Sequence, residues 1–190
     1  MSDDKSPTVE VEVFQNEKEY RKKVNEYRSS LKSMLVTTRF STDTLLENAE
    51  FRKQNPKVGC VYCCPAPISQ KIPQNMVLYV MEMNNTINKI VAIGMVKNSA
   101  ICGKYKVYQH SSYNSFVYLG KIPRITRENM TEEEDEIMKV FDTLCFKGAS
   151  NMKRGHGITA FPVELLYRVS KTKDLVDFVK QMFTRRMQRV

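Results

Sequence analysis

One stretch of sequence decides the fold, namely residues 76–97, which read MVLYVMEMNNTINKIVAIGMVK. Its two parts, Met76–Met83 and Ile87–Lys97, are rich in Val, Ile and Tyr and predict two β-strands. Asn84 and Asn85 lie between them, and because asparagine tolerates a positive φ angle, they predict a hairpin turn. The second strand is apolar on both faces, which is typical of a strand in the middle of a sheet.

Three further segments around this hairpin predict strands: Val58–Cys64, Lys104–Tyr108 and Ser115–Ile125. Gly94 lies inside the second strand of the hairpin. It predicts either a β-bulge or a point where another part of the chain approaches closely. Four or five strands within about 70 residues, with no helix between them, predict a small barrel or a strongly curled sheet.

The residues before these strands predict two helices. Asn16–Glu19 reads NEKE, an Asn cap with Glu three residues later, and apolar residues then recur every three or four positions through about residue 33. These residues are Tyr20, Val24, Tyr27, Leu31 and Leu35. A second helix is predicted to begin at Ser41 or Thr42 and to end before Asn55–Pro56, because proline disfavours a helix at the residue before it.

The C-terminal third predicts helices as well. Thr131 precedes three glutamates, which predicts a capping box and places acids at the positive end of a helix dipole. The acidic run therefore serves a helix terminus rather than catalysis. Its buried face is predicted to hold Ile137, Val140, Phe141, Leu144 and Cys145. A short helical segment follows Phe161–Pro162. A last helix from about Thr172 to Arg186 is predicted to bury Leu175, Val176, Val179, Met182 and Phe183.

These elements predict an α+β protein in which a small curled β-sheet or barrel is flanked by N-terminal and C-terminal helices. We expect one domain in all. Residues 1–8 form a disordered lead, 9–56 a helical part, 57–130 the β-rich core, and 131–190 C-terminal helices packed on the same core. The polar N-terminus and the short apolar runs predict neither a secretory signal nor a membrane span.

Positive charge is segregated along the chain. Residues 51–127 carry eleven Lys or Arg and one acid, Glu82, together with eight Tyr or Phe, and their net charge is +10. The flanking blocks carry −2 for 1–50, −6 for 128–146 and +7 for 147–190. A polyanion with flat rings fits cations interleaved with aromatic residues, which favours nucleic acid as the ligand. Cations that only solvate one face are the alternative.

Several motifs of the second half resemble a group of uncharacterised proteins from large double-stranded DNA viruses. The resemblance covers roughly 58–162 and is carried by Tyr113–Lys121, which reads YNSFVYLGK, by Leu144–Gly148, and by Lys153–Thr159, which reads KRGHGIT. It implies a viral, intracellular protein of the host cytoplasm, viral factory or virion. The odd number of five cysteines, without regular spacing, likewise favours a reducing compartment.

The middle of the chain also resembles the PUA-like superfamily, including its ASCH and EVE members. Met76–Val96 is similar to the hairpin of those domains, and the aromatic residues of Tyr105–Tyr118 are similar to their later, aromatic-rich strand. The resemblance implies a barrel fed by a helix, RNA or DNA binding, and in some members one enclosed modified base. The chain contains no Trp, a residue that often helps to build such a cage, and this argues against a base-enclosing pocket.

Two segments contain the best candidates for contact with nucleic acid. In Lys104–Tyr113, Tyr rings can stack on bases while neighbouring Lys residues meet phosphates. If Lys104–Tyr108 is a strand, Tyr108 lies on the ligand side and Tyr105 in the core. In Lys147–Gly157, three glycines let the backbone approach a phosphate. The full candidate set is Lys104, Lys106, Tyr108, His110, Tyr113, Lys121, Arg124, Lys147, Lys153, Arg154 and His156.

The sequence supplies no catalytic motif. His110 and His156 are the two histidines, and neither has a carboxylate beside it in sequence, so we expect no catalytic residue and no enzymatic activity. Cys60, Cys63 and Cys64 lack the turn and the second ligand pair of a zinc site, so we expect structural thiols, no metal and no cofactor. An RNA-processing or base-modifying enzyme that uses the two histidines remains a third hypothesis.

The sequence therefore predicts a non-enzymatic module that binds RNA or DNA through a basic, aromatic face. The second hypothesis is a virion structural or scaffolding protein that uses the same face on an acidic viral protein. A single concave surface joining Lys104–Arg124 to Lys147–Arg154 would favour the first hypothesis.

Overall fold

The computed structural model describes residues 7–148 and 151–188 as a mixed α/β arrangement of five α-helices and two β-sheets. The helices are α1 (Pro7–Ser30), α2 (Thr42–Gln54), α3 (Glu132–Phe146), α4 (Val163–Ser170) and α5 (Leu175–Met187). The strands are β1 (Ser33–Phe40), β2 (Cys60–Cys64), β3 (Val77–Asn84), β4 (Lys89–Lys97), β5 (Ile101–Cys102), β6 (Phe116–Gly120), β7 (Ile125–Thr126) and β8 (Thr159–Ala160). Two 3-10 turns, Ser111–Asn114 and Arg127–Asn129, complete the described elements.

The larger sheet has five strands in the order β7-β4-β3-β1-β8. Its centre is a parallel pair, in which β1 runs beside β3 from Ser33 opposite Val77 to Phe40 opposite Asn84, and its other pairs are antiparallel. The smaller sheet has three antiparallel strands in the order β2-β6-β5. The two sheets do not join into a closed barrel. The predicted strand Ser115–Ile125 contributes β6 to one sheet and the start of β7 to the other.

The core consists of two layers separated by the five-stranded sheet. The layer between the two sheets and α2 contains Val36, Tyr62, Leu78 and Val117. The layer on the opposite face packs α3, α4 and α5 against the sheet. It contains all five residues predicted to face inward from the last helix, namely Leu175, Val176, Val179, Met182 and Phe183. The two clusters form separate groups of buried residues, one on each face of the five-stranded sheet.

The decisive hairpin is confirmed as β3 and β4, and β4 lies inside the sheet between β3 and β7. The turn differs in detail from its prediction. Asn88, not Asn84 or Asn85, adopts the positive φ angle, at 56°. The second strand begins at Lys89 rather than Ile87. The register of β3 against β4 shifts by one residue between Glu82 and Met83. The bulge in this strand pair therefore lies near the turn rather than at Gly94.

Gly94 is a point of close approach, because the Tyr62 ring of the smaller sheet lies directly over it. A Cβ atom at Gly94 would lie 1.9 Å from the Tyr62 hydroxyl oxygen. That hydroxyl donates a 2.8 Å hydrogen bond to Glu82 Oε1, and Arg124 Nη1 donates to Oε2 of the same carboxylate at 2.8 Å. Burial raises the pKa of Glu82, while Arg124 and the Tyr62 hydroxyl oppose that rise. This cluster joins the two sheets.

Strand β1 is absent from the sequence-based prediction, and this is its main error. Leu35 continues the three-to-four spacing of the preceding helix, which places it on the face of that helix. In the structure α1 ends at Ser30 and Leu35 lies in β1, fully buried. The residues around Leu35 read SMLVTTRF, and their Val and Thr side chains favour a strand. Local β preference and burial on both faces outweigh an accidental helical spacing.

The starts of α2 and α3 follow their capping signals, but the predicted cap at Asn16 is wrong, because Asn16 lies inside α1. Ser41 caps α2 and Thr131 caps α3, each in a capping box with the residue three positions later. In α3 the buried side chains include Phe141 and Cys145 as predicted, but Val140 is exposed. Of the predicted disordered lead 1–8, residues 1–6 lie outside the described part of the chain. Pro7 and Thr8 begin α1, which is a correction. No helix in the described ranges is long and apolar enough to cross a bilayer.

We predict that Gly94→Ala destabilises the fold by about 1–3 kcal/mol, because the new methyl group would overlap the Tyr62 ring and force the sheets apart. The free energy of unfolding, measured by urea denaturation, checks this. Lys89→Ala at the exposed start of the same strand is the matched control, with an expected change within about 0.5 kcal/mol. Equal stability of both variants would contradict the close approach.

We also predict a pH-dependent contribution from Glu134, which is 1 % exposed and pairs with Arg185 at 3.0 Å and Arg186 at 2.7 Å. Burial opposes its ionisation, but Arg186 and the Thr131 N–H outweigh burial and lower its pKa below the ordinary 4.5. As the pH falls below 4.5, the unfolded chain therefore binds more protons at this site than the folded chain does. The stability contributed by the ionised Glu134 is lost as the pH falls through its pKa in the folded protein.

Glu134→Gln should accordingly unfold about 1–3 kcal/mol more easily at pH 7 and lose less further stability on acidification than the wild type. Glu133→Gln, at an exposed neighbour on the same helix, is the control. A parallel pH dependence of the wild type and of Glu134→Gln would show that Glu134 does not contribute.

Candidate functional site

A cavity of about 250 Å³ opens where β1 ends and α2 begins. It is lined by Thr38, Arg39, Phe40, Ser41, Thr44, Cys63, Tyr108, Tyr113 and Gly157. Drug-sized ligands occupy pockets of about 300–1,000 Å³. The cavity is therefore large enough for one small chemical group rather than for a whole nucleotide.

The junction between β1 and α2 is fixed by local hydrogen bonds. Phe40 is the last residue of β1, and Ser41 caps α2 immediately after it. Ser41 Oγ accepts from the Thr44 N–H at 3.2 Å, and Thr44 Oγ1 accepts from the Ser41 N–H at 3.0 Å. Because one residue makes the turn, the first turn of α2 stands directly beside Cys63 of β2, and the two form adjoining walls.

Tyr108 forms another wall and is 6 % exposed, so its prediction as an accessible stacking ring on a surface strand is wrong. The buried Asn48 holds its hydroxyl. Asn48 Nδ2 donates both to the Val61 carbonyl at 2.8 Å and to Tyr108 Oη at 3.0 Å, while its Oδ1 accepts from Arg52 Nε. These partners fix the orientation of the amide. Tyr108 Oη therefore accepts from Asn48, and its own O–H points elsewhere. Burial raises the pKa of Tyr108.

Lys104–Tyr108 is not a strand, which corrects a second prediction. Asn114 organises the segment as a loop instead. Its Oδ1 accepts from the N–H groups of Val107 and Tyr108, and its Nδ2 donates to the Tyr108 carbonyl at 2.7 Å. Tyr105 is half-buried with its ring 6.0 Å from that of Phe51 on α2. Side-chain hydrogen bonds from one asparagine thus replace the expected ladder.

Tyr113 and His110 stand together at the rim of the cavity. Tyr113 is 36 % exposed, and its ring centroid lies 5.5 Å from that of His110 in an edge-to-face arrangement. His110 Nδ1 is hydrogen-bonded to Ser112 Oγ at 2.8 Å. Both side chains are accessible where a ligand would enter. Tyr113 is therefore the ring best placed for stacking.

The glycine-containing loop 151–158 contributes Gly157 to the lining of the cavity. Met152 and Lys153 turn their carbonyls inward, where they accept from Arg39 Nε at 2.7 Å and from Asn85 Nδ2 at 3.1 Å. Gly157 adopts a φ of 68°, and a Cβ atom there would lie 2.7 Å from Cys64 Cβ, so only glycine permits this contact with β2. Arg154 and His156 are exposed on the outside of the loop.

The structure therefore brings part of the predicted set together. Tyr108 and Tyr113 share the cavity with Gly157, the neighbour of His156. Lys153 and Arg154 precede that glycine on the same loop. Lys147 is exposed at the end of α3, and the loop returns to that end through the bond from the Met152 N–H to the Cys145 carbonyl. Two segments 40 residues apart in sequence thus meet at one opening.

Lys104 and Lys106 lie along α2 rather than at the cavity. Lys106 lines a wide surface groove with the outer face of that helix, including Glu47 and Glu50. Glu47 also accepts from the Gln109 N–H at 3.2 Å. Acidic side chains thus stand beside these two lysines. The groove suits solvent better than it suits a polyanion.

Lys121 and Arg124 lie away from the cavity. Gly120 pairs with Cys60, whereas the loop with Gly157 packs on Cys64, so Lys121 follows the far end of β2, about 13 Å from that loop. Arg124 is not a surface cation, because its side chain is 19 % exposed and pairs with Glu82. Glu82 engages its guanidinium, and the role of Arg124 as a phosphate contact stays a prediction. The predicted single concave surface is thus reduced to the cavity and the loop beside it.

The described residues show no acid–base pair for catalysis at this opening. Neither His110 nor His156 has a carboxylate among its described hydrogen-bond partners. The thiol of Cys63 lines the cavity, but burial raises its pKa to about 12, so it stays protonated near neutral pH. No group of three or more metal-ligating side chains occurs within residues 7–148 and 151–188.

Sequence reasoning misses the residues that shape the cavity: Thr38, Arg39, Asn48 and Cys63. The first two belong to the strand that directly follows the first predicted helix. In the sequence, Asn48 cannot be told apart from a polar residue on the exposed face of a helix. The signal that could have found this junction is the strand-forming SMLVTTRF followed directly by the cap Ser41–Thr44.

The fold and the cavity define a mixed α/β protein with two facing sheets and a small cavity at the junction of a strand and a helix. Comparisons of the chain with protein-family models, with curated proteins and with solved structures found no match.

We predict that a thiol reagent modifies one of the five cysteines in the native protein. Cys102 is exposed on β5, while Cys60, Cys63, Cys64 and Cys145 are buried. Burial raises the pKa of Cys60 and Cys145 to about 12 and that of Cys64 to about 11, which suppresses the reactive thiolate. Mass spectrometry after alkylation should find one label in the native state and five after unfolding.

Cys102→Ser is the control for this labelling experiment and should remove the native label alone. Rapid native labelling of Cys60 or Cys63 would contradict the burial of β2 and reopen the question of a metal-binding role for these thiols.

Proposed function

We propose that this protein is a non-enzymatic, PUA-like module that binds single-stranded RNA or DNA. One base enters the cavity beside Tyr113, and Lys153 and Arg154 contact the neighbouring phosphates. In keeping with the sequence resemblance, we place it among the proteins of large double-stranded DNA viruses.

One observation carries this proposal: Tyr108 and Tyr113 of the aromatic segment and Gly157 of the cationic glycine-containing loop line one cavity. The cavity offers hydroxyl groups from Thr38 and Tyr108, which suit the neutral polar edge of a base. Its rim offers a ring for stacking, worth about 1–3 kcal/mol per base. The backbone phosphates that flank that nucleotide would lie outside, near Lys153 and Arg154.

Walls that combine aromatic rings and hydroxyl groups with a single cation fit a nucleic-acid strand better than an acidic protein. Arg39 is the one charged residue among those that line the cavity, and the other lining side chains are mainly hydroxyl, aromatic and thiol groups. A base carries no formal charge, so the cost of burying it is smaller. The scaffolding hypothesis becomes the better one if no strand binds.

We predict binding of a fluorescent 12-nucleotide single strand that weakens steeply with salt, as measured by fluorescence anisotropy at several salt concentrations. The double variant Lys153→Gln/Arg154→Gln should reduce the slope of log affinity against log salt by about 1.4, at about 0.7 for each lost phosphate contact. Tyr113→Ala should weaken binding at every salt concentration, whereas Tyr113→Phe should keep the stacking.

The matched control is Lys71→Gln/Lys97→Gln, which removes the same charge elsewhere. Lys97 pairs with Val77 of β3. Val77 lies seven residues along that strand from Asn84, which is beside the cavity, so the separation between Val77 and Asn84 is about 23 Å. The slope of log affinity against log salt for this control variant should match that of the wild type. Equal losses in the two double variants would mean diffuse attraction without a site, and no binding at low salt would reject the proposal.

A further inference from the structure

The guanidinium of Arg39, at the end of β1, is only partly satisfied by the protein. Its Nε donates to the Met152 carbonyl at 2.7 Å, and its Nη2 donates to Thr159 Oγ1 at 3.0 Å. Nη1 is buried and has no hydrogen-bond partner among the described residues. A buried N–H donor without an acceptor is destabilising, so most buried donors in folded proteins have a hydrogen-bond acceptor.

The charge of Arg39 is also uncompensated. Three other partly buried arginines have carboxylate partners: Arg124 pairs with Glu82, Arg127 with Asp135 and Asp142, and Arg186 with Glu134. No ion pair in the described part of the chain includes Arg39. Burial lowers the pKa of its guanidinium, and no described carboxylate opposes that shift. A desolvated cation without a counter-ion favours the binding of an anion.

Gly155 covers this guanidinium with its backbone. A Cβ atom at Gly155 would lie 3.5 Å from Arg39 Cζ and 3.7 Å from Nη1. Gly155 is exposed and adopts a φ of 119°, a conformation that glycine enters and leaves without steric cost. A small displacement of this residue would therefore uncover Nη1. Lys153 and Arg154 precede it and add two positive charges to the same loop.

We propose that Arg39 and the loop residues Lys153–Gly155 form a binding site for a phosphoryl group, with Nη1 of Arg39 donating to one phosphate oxygen. The anion supplies both the missing acceptor and the missing counter-charge. The identity of the ligand rests on the proposed function: it is a backbone phosphate beside the base in the cavity, whose wall Arg39 shares. The same chemistry would bind free phosphate, so the two sources are tested separately.

The first experiment uses inorganic phosphate and the full chain. Phosphate, compared with chloride at equal ionic strength, should raise the unfolding temperature of the wild type along a saturable curve. It should also shift the Nε–H resonance of Arg39 in NMR spectra. Arg39→Lys keeps the charge but lacks Nη1, so it should abolish the saturable part. Arg168→Lys, the same change at an exposed arginine of α4, should behave as the wild type.

The NMR measurement on the wild type keeps the test valid if Arg39→Lys folds poorly. A saturable shift of that resonance supports the site. No response to phosphate would overturn it and would assign Nη1 to a buried water bridging to Asn85 Oδ1, which is likewise buried without a partner among the described residues.

The second experiment measures binding of the 12-nucleotide strand and of a matched strand with neutral methylphosphonate linkages. Arg39→Lys should weaken binding of the natural strand by about tenfold and leave the neutral strand unaffected. Salt-dependent strand binding that is identical in Arg39→Lys and Arg168→Lys would overturn the Arg39 site and leave the proposed function standing. A saturable phosphate response without strand binding would support the anion site while rejecting the proposed function.

Discussion

A buried hydrogen bond from the Tyr62 hydroxyl of β2 to the Glu82 carboxylate of β3 joins the two sheets. Burying a carboxylate is costly, and Glu82 persists there because Arg124 supplies the opposite charge at 2.8 Å. The hydroxyl reaches that carboxylate because Gly94 has no side chain. Removing one member would leave the others desolvated and unpaired. The spacing between the sheets therefore depends on a hydroxyl, a carboxylate, a guanidinium and a glycine together.

The position of the cavity follows from that spacing. Arg52 lies near Glu82, and burial, together with repulsion from Arg124, lowers the pKa of its guanidinium. Its Nε donates to Asn48, which in turn donates to the Tyr108 hydroxyl. Hydrogen bonds thus run from Arg52 through Asn48 to Tyr108 in the cavity wall, and Arg52 is attracted electrostatically to the buried Glu82. Such networks select one arrangement when every member is satisfied. The cavity is set by the core beneath it rather than by the flexibility of its loops.

The sequence predicts the parts of the fold that local signals determine. The hairpin of β3 and β4, the caps Ser41 and Thr131, and the inward face of α5 follow from residue preference and spacing. Strand β1 escapes prediction because Leu35 fits a helical spacing, and its true environment depends on β3, some 40 residues away. For the site, sequence places Tyr113 and the loop cations in the candidate set. The sequence could not distinguish Arg124 from the exposed cations of that set, because its buried partner Glu82 lies 42 residues away.

The lining of the cavity comes from stretches of chain that are far apart, the first near Thr38 and the last at Gly157. β8 follows that last stretch and pairs with β1 across more than a hundred residues. A nascent polypeptide leaves the ribosome from its N-terminus, so the opening has no second side until the segment around Gly157 has been translated. The cavity is therefore complete only after this segment has been translated, and translation products that stop before it lack the cavity.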